Sequence, residues 1–523
     1  MLEEQLEALQ AQLTKLSAQW AEEKVALERE NKIFREEIAI LKQWRFGRSS
    51  ERIEPGQLSI FEDIPAEFAS QEVASETRPK KQTKRKGHGR APIPEHLTRI
   101  DIVTDVPEGE RTGSCCDGVL HSIGEDTSER LHVVPAKLVV HRYRRKKYAC
   151  KEGHEVKTAP LPDGVIDKGK YEASVHAHVA VAKYTDHLPL NRMEGIFKRS
   201  GVKIPKQSMW DMLVRVDDLV SKPILAQMHK ELLEEPILHS DETSVSLVIE
   251  GQKRSRDSWV WGWRSAAGSG PSKVLIQFLE SRSREGPRAF LGTRAFLGTW
   301  KGILITDGYA AYESVCRDNR IVRAGCWSHA RRKFKEAFDT GSRQAARVLG
   351  LINRLFAIER AVKGRGERRN LPYADLLELR SSVRHRTSKR LLDRLYLEVA
   401  RLGSAPSTLP KSKLGKAVTY ATNQRQPLCV FLDEPGVPIH NNDQERDLRH
   451  VVTGRKNWQL FASPKGGEVA CRLYSLILSC KQNGVNPEAY IEGVLQATRT
   501  TKASDIARLT PWAWAARDEE PAN

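Results

Sequence analysis

The chain has 523 residues, more than one hydrophobic core organises, and 39% of them are hydrophobic, so several well-filled domains are expected. A formal net charge of +18 implies a polyanionic partner, because lysine and arginine gain affinity by displacing phosphate counterions; nucleic acid, the ribosome and an anionic membrane surface all fit that sign. Eight cysteines are too few for a disulfide scaffold, the acidic amphipathic start MLEEQLEALQ is unlike a secretory leader, and no apolar run approaches the roughly 18 residues of a membrane span, so a reduced, cytoplasmic protein is expected.

Residues 1–45 read as one long helix. Leu6, Leu13, Trp20, Leu27, Phe34 and Leu41 recur every seventh position, and Leu2, Leu9 and Leu16 supply a second seam in the first half only, so the seam shifts near Trp20. Packing on the chain's own body is one reading; glutamate and lysine on the other faces favour the second, a coiled coil through residues 2–44 that joins copies of the chain. Residues 46–92 form a basic linker whose segment RPKKQTKRKGHGR places Lys80, Lys81, Lys84, Arg85 and Lys86 in a run without one acid, a solvated stretch or a phosphate-gripping arm with no base specificity.

Residues 93–170 look β-rich, with strand-like runs in LHVVPAKLVVHRYRRKKYAC on either side of Pro135. Cys115, Cys116, Cys150 and His154 bracket them as two zinc knuckles would, but Gly113 and Gly153 stand where Cys-x-x-Cys spacing asks for a ligand, and buried thiols beside an unrelated histidine fit as well. Residues 171–230 are helical by pattern. LNRMEGIFKRSGVKIPKQSMWDMLVRV gives a helix, a glycine-containing turn and a second helix opening at Pro205, with Lys206 and Gln207 near its start; a helix-turn-helix would present those two to the DNA major groove, whereas a plain helical hairpin would not.

The next part, residues 231–338, alternates strands and turns: PILHSDETSVSLVIE, SWVWGWRS, KVLIQFLE, GILITD and RIVRAGC. The first three are expected as antiparallel neighbours, and the acids that end the first and fourth would lie on neighbouring strands if the fourth packs beside the first. Asp241 ends ILHSD, Asp307 ends GILITD, and Glu445 opens the helix-like NNDQERDLRHVV in residues 431–480. Any one of these acids alone is ordinary turn or cap chemistry. Their order, strand-Asp, strand-Asp, helix-Glu, matches what in-line phosphoryl transfer needs, since carboxylates bridging two divalent ions stabilise attacking and leaving oxygens together. Glu242 is a possible extra carboxylate, or simply exposed at a turn. Asn441 or Asn442 is expected to cap the helix, and Arg446, Arg449, Arg455 and Lys456 on it suit phosphate contact or pairing with Asp443 or Glu445. Residues 339–430 read as a basic helical insertion, and 481–523 as a C-terminal tail. RAFLGT occurs twice in succession, at 288–293 and 294–299; six extra residues turn a helix by about 600°, leaving later side chains some 240° out of register, so the second copy either loops out or impairs the site.

The stretches FGRSSER, GVLHSIGEDTSERL, KYTDHLPLNRMEGIF, HSDET, DGYAAY, CWSHARRKF, NNDQERDLRHVVTGRKNW and NGVNPEAYI together resemble the DDE transposases of the insertion sequence 66 family, along nearly the whole chain. The resemblance implies a multidomain α/β protein: an RNase H-like core, a mixed sheet with helices, interrupted by the helical insertion and preceded by the coiled coil, the small zinc-binding-like domain and the helix-turn-helix-like domain. It implies a bacterial, nucleoid-associated enzyme that cleaves and joins double-stranded DNA, with Asp241, Asp307 and Glu445 holding two Mg2+ or Mn2+ ions. Its partners would be the element's terminal inverted repeats, target DNA and accessory proteins of the same element. Cys326 and His329 in CWSH would shape the pocket, and Arg331, Arg332 and Lys333 would contact DNA. The family's knuckle cysteines are missing at Gly113 and near Gly153, which leaves Zn2+ in doubt. A DNA-binding regulator without chemistry, and a structure-selective nuclease, are the rival readings.

Overall fold

The computed structural model describes residues 165 and 169–518 apart from 252–253, 267, 269, 292–299 and 499–500, with scattered positions between 14 and 31 and short stretches at 138–144, 146–149 and 156–158. Most of the heptad seam, the basic arm with Lys80, Lys81, Lys84, Arg85 and Lys86, the ligands Cys115, Cys116, Cys150 and His154, and the second RAFLGT copy lie outside them. The chain divides into two units, Ser59–Arg144 and the remainder. Of the first unit, residues 138–144 are described; they are coil, not the expected strand, because their β-branched side chains find no strand to pair with among the described residues. In the second unit a short strand β1 (Lys147–Ala149) pairs antiparallel with β2 (Val156–Thr158).

Four helices follow. In α1 (Ala173–Tyr184) the small residues Ala177, Ala180 and Ala182 are buried. The hairpin of α2 (Leu190–Arg199) and α3 (Lys206–Val216) turns at Gly201, whose φ of +81° is strained for any residue with a Cβ. Pro205 occupies the N-cap of α3, as its fixed φ suits a helix start. A widened turn over Asp217–Ser221 leads into α4 (Lys222–Leu232), and the buried Asp217 accepts two hydrogen bonds from Arg472, at 2.8 and 2.9 Å.

A mixed sheet lies at the centre. Strands β3 (Ile237–Leu247), β4 (Arg256–Ser265) and β5 (Val274–Leu279) form an antiparallel meander, and β6 (Ile303–Thr306) and β7 (Val322–Gly325) add in parallel, giving the order β5-β4-β3-β6-β7. The pairing of first and fourth strands is present. Asp241 does not end β3: the ladder with β4 carries the strand on to Leu247, and Asp241 sits opposite Gly262. Trp261 and Trp263 on β4 are fully buried, Trp263 stacked on Phe290 of α5 (Glu285–Leu291) with ring centroids 4.1 Å apart. The backbone N–H of Trp300 donates to the Leu291 carbonyl at 3.2 Å, so the segment carrying the second RAFLGT starts and ends at adjacent points.

After α6 (Ala310–Asn319) and β7 comes α7 (Trp327–Asp339), which begins a second core shared by α8 (Ala345–Arg369), α10 (Lys389–Ser404) and α11 (Lys413–Asn423), with α9 (Tyr373–Val383) and α12 (Arg425–Cys429) around it. Arg384 is buried there, paired with Glu359 at 2.8 Å through both nitrogens, and it donates to the carbonyls of Phe431, Glu434 and Val437, fixing the approach to α13 (Asn442–Trp458). The short β8 (Leu460–Phe461) pairs with the far end of β3. Helix α14 (Pro464–Gln482) covers the outer strand: its Ser475 and Ser479 hydroxyls bond the free backbone groups of Ile276 and Val274, which closes an edge that would otherwise invite another strand. Residues 481–523 contain α15 (Pro487–Ala497) and α16 (Pro511–Asp518). They pack inward: Tyr490 is buried and bonds the Leu509 carbonyl, and Trp512 bonds Glu231 of α4 at 2.7 Å.

Candidate active site

A cavity of about 350 Å³ opens at the ends of the central strands, lined by Asp241, Glu242, Thr243, Arg282, Asp307, His329, Arg332, Glu445 and Arg449 among others. Three different elements bring the acids there. Asp241 lies within β3; Asp307 directly follows β6, two positions beyond the paired His239 and Ile305; Glu445 lies in the first turn of α13. The Asp307 carboxylate is oriented by the N–H of Tyr309, at 2.9 Å. Burial, and then the neighbouring carboxylates of Glu242, Asp307 and Glu445, push the Asp241 carboxyl well above its usual range.

The donor set suits a hard cation. A buried carboxylate crowded by three others is relieved by positive charge. Glu445 Oε1 and His329 Nδ1 lie 3.8 Å apart, both buried, and neither hydrogen-bonds any described residue. Cys326, His329 and Glu445 also bring ligand atoms within 4.8 Å of one another.

Glu242 is not exposed at a turn. Its side chain is 2% accessible, and it accepts from Arg282 at 2.5 and 3.0 Å and from the Tyr312 hydroxyl at 2.7 Å. Burial raises its pKa while Arg282 and Tyr312 act to lower it. The Arg282 guanidinium is itself held between the rings of Trp259 and Tyr309, 4.7 and 3.9 Å from their centroids.

With this arrangement in view, sequence comparison identifies the group. Residues 168–469, which include all three acids, match the profile of the Transposase IS66 family. Flanking segments match related profiles: residues 33–102 the "Transposase C of IS166 homeodomain", 110–152 the zinc-finger binding domain of transposase IS66, and 475–512 the IS66 C-terminal element. The chain belongs to the IS66 transposase family.

Two relatives from Sinorhizobium fredii, the uncharacterized proteins y4jD and y4qI, are 31% and 30% identical over 92% and 91% of this chain and 94% and 87% of their own lengths. Among solved structures, the Drosophila P element transposase strand transfer complex aligns over 60% of this chain and 92% of that chain, with 10% identity and a TM-score of 0.30. DDE transposases of this kind act on DNA with divalent metal ions, and no helix among the described residues is long and apolar enough to cross a membrane.

The basic residues anticipated around an IS66 transposase site separate into two groups. Arg332 and Arg449 line the cavity, Arg332 lying 3.5 Å from Glu445 Oε2. The others are turned elsewhere. Arg331 donates to Asn353 of α8 at 2.9 Å, Lys333 sits over the Tyr420 ring, and Arg446 pairs with Asp443 at 3.2 Å. Arg455 is tied back to β3 through Thr243 and the Ser244 carbonyl, because that strand runs on past Asp241 and passes under the helix. Lys456 is exposed near the end of α13, and Lys206 and Gln207 are exposed at the start of α3, where Gln207 bonds Asp211 at 3.0 Å. Cys326 is buried at the start of α7, with its Sγ accepting from the Asn441 N–H at 3.2 Å. The Asn441 side chain does not cap α13; it reaches across to β3 instead. Sequence reading did not single out Arg282, Tyr312, Arg264 or Asp447. The last two form a buried pair at 2.8 Å that fastens α13 to β4.

Proposed function

We propose that this IS66 transposase cleaves DNA at the ends of its element and joins the freed 3′-hydroxyls to target DNA, using Asp241, Asp307 and Glu445 as the metal-binding set. The observation carrying this reading is the convergence of those three carboxylates, from β3, β6 and α13, on one cavity flanked by Arg332 and Arg449. The strand order, three antiparallel strands followed by two parallel ones, supports an RNase H-like core.

The three acids would hold one or two Mg2+ or Mn2+ ions, whose chemistry is to activate a hydroxyl and to neutralise charge on the phosphate and leaving oxygen. The protein's own groups bind and orient. Arg332 and Arg449 offer guanidinium forks to the phosphates on either side of the scissile bond. Tyr309 N–H fixes the Asp307 carboxylate, and Arg282 balances the buried Glu242, so that negative charge in the cleft stays concentrated on the three acids.

Trp20 and Leu27 of the heptad seam are exposed, in line with self-association through residues 2–44. Residues 110–152 match a zinc-finger profile, and Cys115, Cys116 and Cys150, with His154, are candidate Zn2+ ligands. The test is nicking of duplexes carrying the element's terminal repeats, in Mg2+ or Mn2+. Asp241→Asn, Asp307→Asn and Glu445→Gln should each abolish nicking while retaining binding to the same duplex; activity surviving any of them sinks the assignment.

A further inference from the structure

We propose that Asn441 is a positioning residue that sets Glu445 against Asp241, a role that rests on the reading of those acids as the metal-binding set. Asn441 is fully buried, and all its polar groups are engaged, three of them across elements. Its Oδ1 lies 2.8 Å from His239 Nδ1, and its Nδ2 donates to the Ser240 carbonyl at 2.8 Å. Its main-chain N–H donates to Cys326 Sγ at 3.2 Å, and its carbonyl accepts from the N–H of Glu445 at 3.1 Å. One residue thus joins three parts of the site: its side chain holds the residues just before Asp241, and its main chain holds the start of the helix that carries His329 and Arg332 and the backbone of Glu445, so a side-chain substitution removes only the tie to β3.

The local chemistry shows what this contact displaces. An asparagine at a helix N-cap ordinarily folds its side chain back onto the N–H groups of the first turn. Asn441 leaves that role unfilled and spends both amide atoms on β3. Pairing of β3 with β6 ends at His239 and Ile305, so Asn441 continues the bonding of β3 where β6 stops. The leverage is short: Glu445 lies four residues along the helix, about 6 Å of rise, and a tilt of about 10° at the cap would move it about 1 Å. A shift of that size is enough to spoil a shared metal site.

The experiment uses the full-length protein with Mn2+ as probe. Mn2+ binding is followed by electron paramagnetic resonance, and nicking of a terminal-repeat duplex is titrated with Mn2+; binding of that duplex and thermal unfolding are measured alongside. Asn441→Ala should bind the duplex within about two-fold of wild type. It should weaken Mn2+ binding, and raise the Mn2+ needed for half-maximal nicking, by about 10- to 100-fold, the range for partners that orient metal ligands. Saturating Mn2+ should restore much of the rate. Asn441→Asp keeps the shape and the acceptor facing His239 but loses the donor to Ser240; it should show the same displacement, and it is the deciding variant if the alanine protein does not fold. A folded variant with an unchanged Mn2+ profile overturns the positioning role, even if its melting temperature falls. Failure of the underlying reading looks different: the wild type itself would show no Mn2+ binding that Asp241→Asn removes, and both proposals would fall together.

Discussion

Asp241 is a source of instability in the metal-free protein. Its carboxyl is held well above the ordinary value of 3.8 by burial first and by neighbouring negative charge second. A group raised in the folded state binds more protons there than in the unfolded chain, so its contribution to stability falls as pH rises from the unfolded value through the folded one, and above the unfolded value the buried carboxyl opposes folding. Asp241→Asn should therefore raise the thermal midpoint in chelator, by about 1 °C for each kcal/mol relieved in a chain of this length. Mn2+ should raise the wild-type midpoint and leave the variant nearly unmoved. His450, on the same helix as Glu445, shifts in the opposite sense: burial, then Lys481 and His187, lower its pKa to about 4 from 6.5. The unfolded chain binds that proton first, so His450 costs stability as pH falls from 6.5 to 4. In urea titrations at both pH values, His450→Gln should lose less stability across this window than wild type does.

Helix α13 shows where residue patterns stop being informative. NNDQERDLRHVV marks a helix and its acid from sequence alone, but Asn441 reads there as a candidate cap, and Gln444 and Asp447 look like ordinary surface residues. In the fold all three are buried: Asn441 and Asp447 bond residues 202 and 183 positions earlier in the chain, and Gln444 packs over Gly262. Gly262, opposite Asp241, makes room for this docking: a Cβ there would lie 1.8 Å from Gln444 Nε2. The serines that cover β5 were equally hidden, since hydroxyls facing a strand edge leave no periodic trace. By contrast the five main strands of the sheet were readable, because apolar runs and turn residues are local signals; the run PILHSDETSVSLVIE covers β3 to its end at Leu247, so it was the placing of Asp241 at a strand end that failed, and the two-residue β8 left no local signal. Removing one partner of a buried pair strands the other charge, so Arg264→Leu should cost about 3–5 kcal/mol in urea unfolding. Arg446→Ala breaks an exposed pair on the same helix and should cost no more than about 1 kcal/mol.

For the whole molecule, the tandem RAFLGT sequence is the main irregularity, and its ends decide its effect. Leu291 and Trp300 are joined by a backbone hydrogen bond, Trp300 is anchored through its indole to the Glu235 carbonyl at 3.0 Å, and β6 then pairs with β3 in regular register. The chain is back on the sheet, in register with β3, before Asp307 is reached. Deleting residues 294–299 should accordingly leave nicking within about two-fold and shift urea stability by less than about 1 kcal/mol, since lengthening or shortening a closed loop changes its entropy only slowly.

The long separation between the second and third acids has a consequence for the chain as it is made. Both aspartates leave the ribosome early, but the helix bearing Glu445 ends at Trp458, and the serines that seal β5 and the helices that pack on α1 and α4 come later still. The proposed metal site is therefore completed late, and a chain that stops before α13 lacks its third carboxylate. Synthesis itself withholds the proposed metal site until α13 has emerged, so products truncated before Glu445 should bind metal weakly and leave DNA uncut.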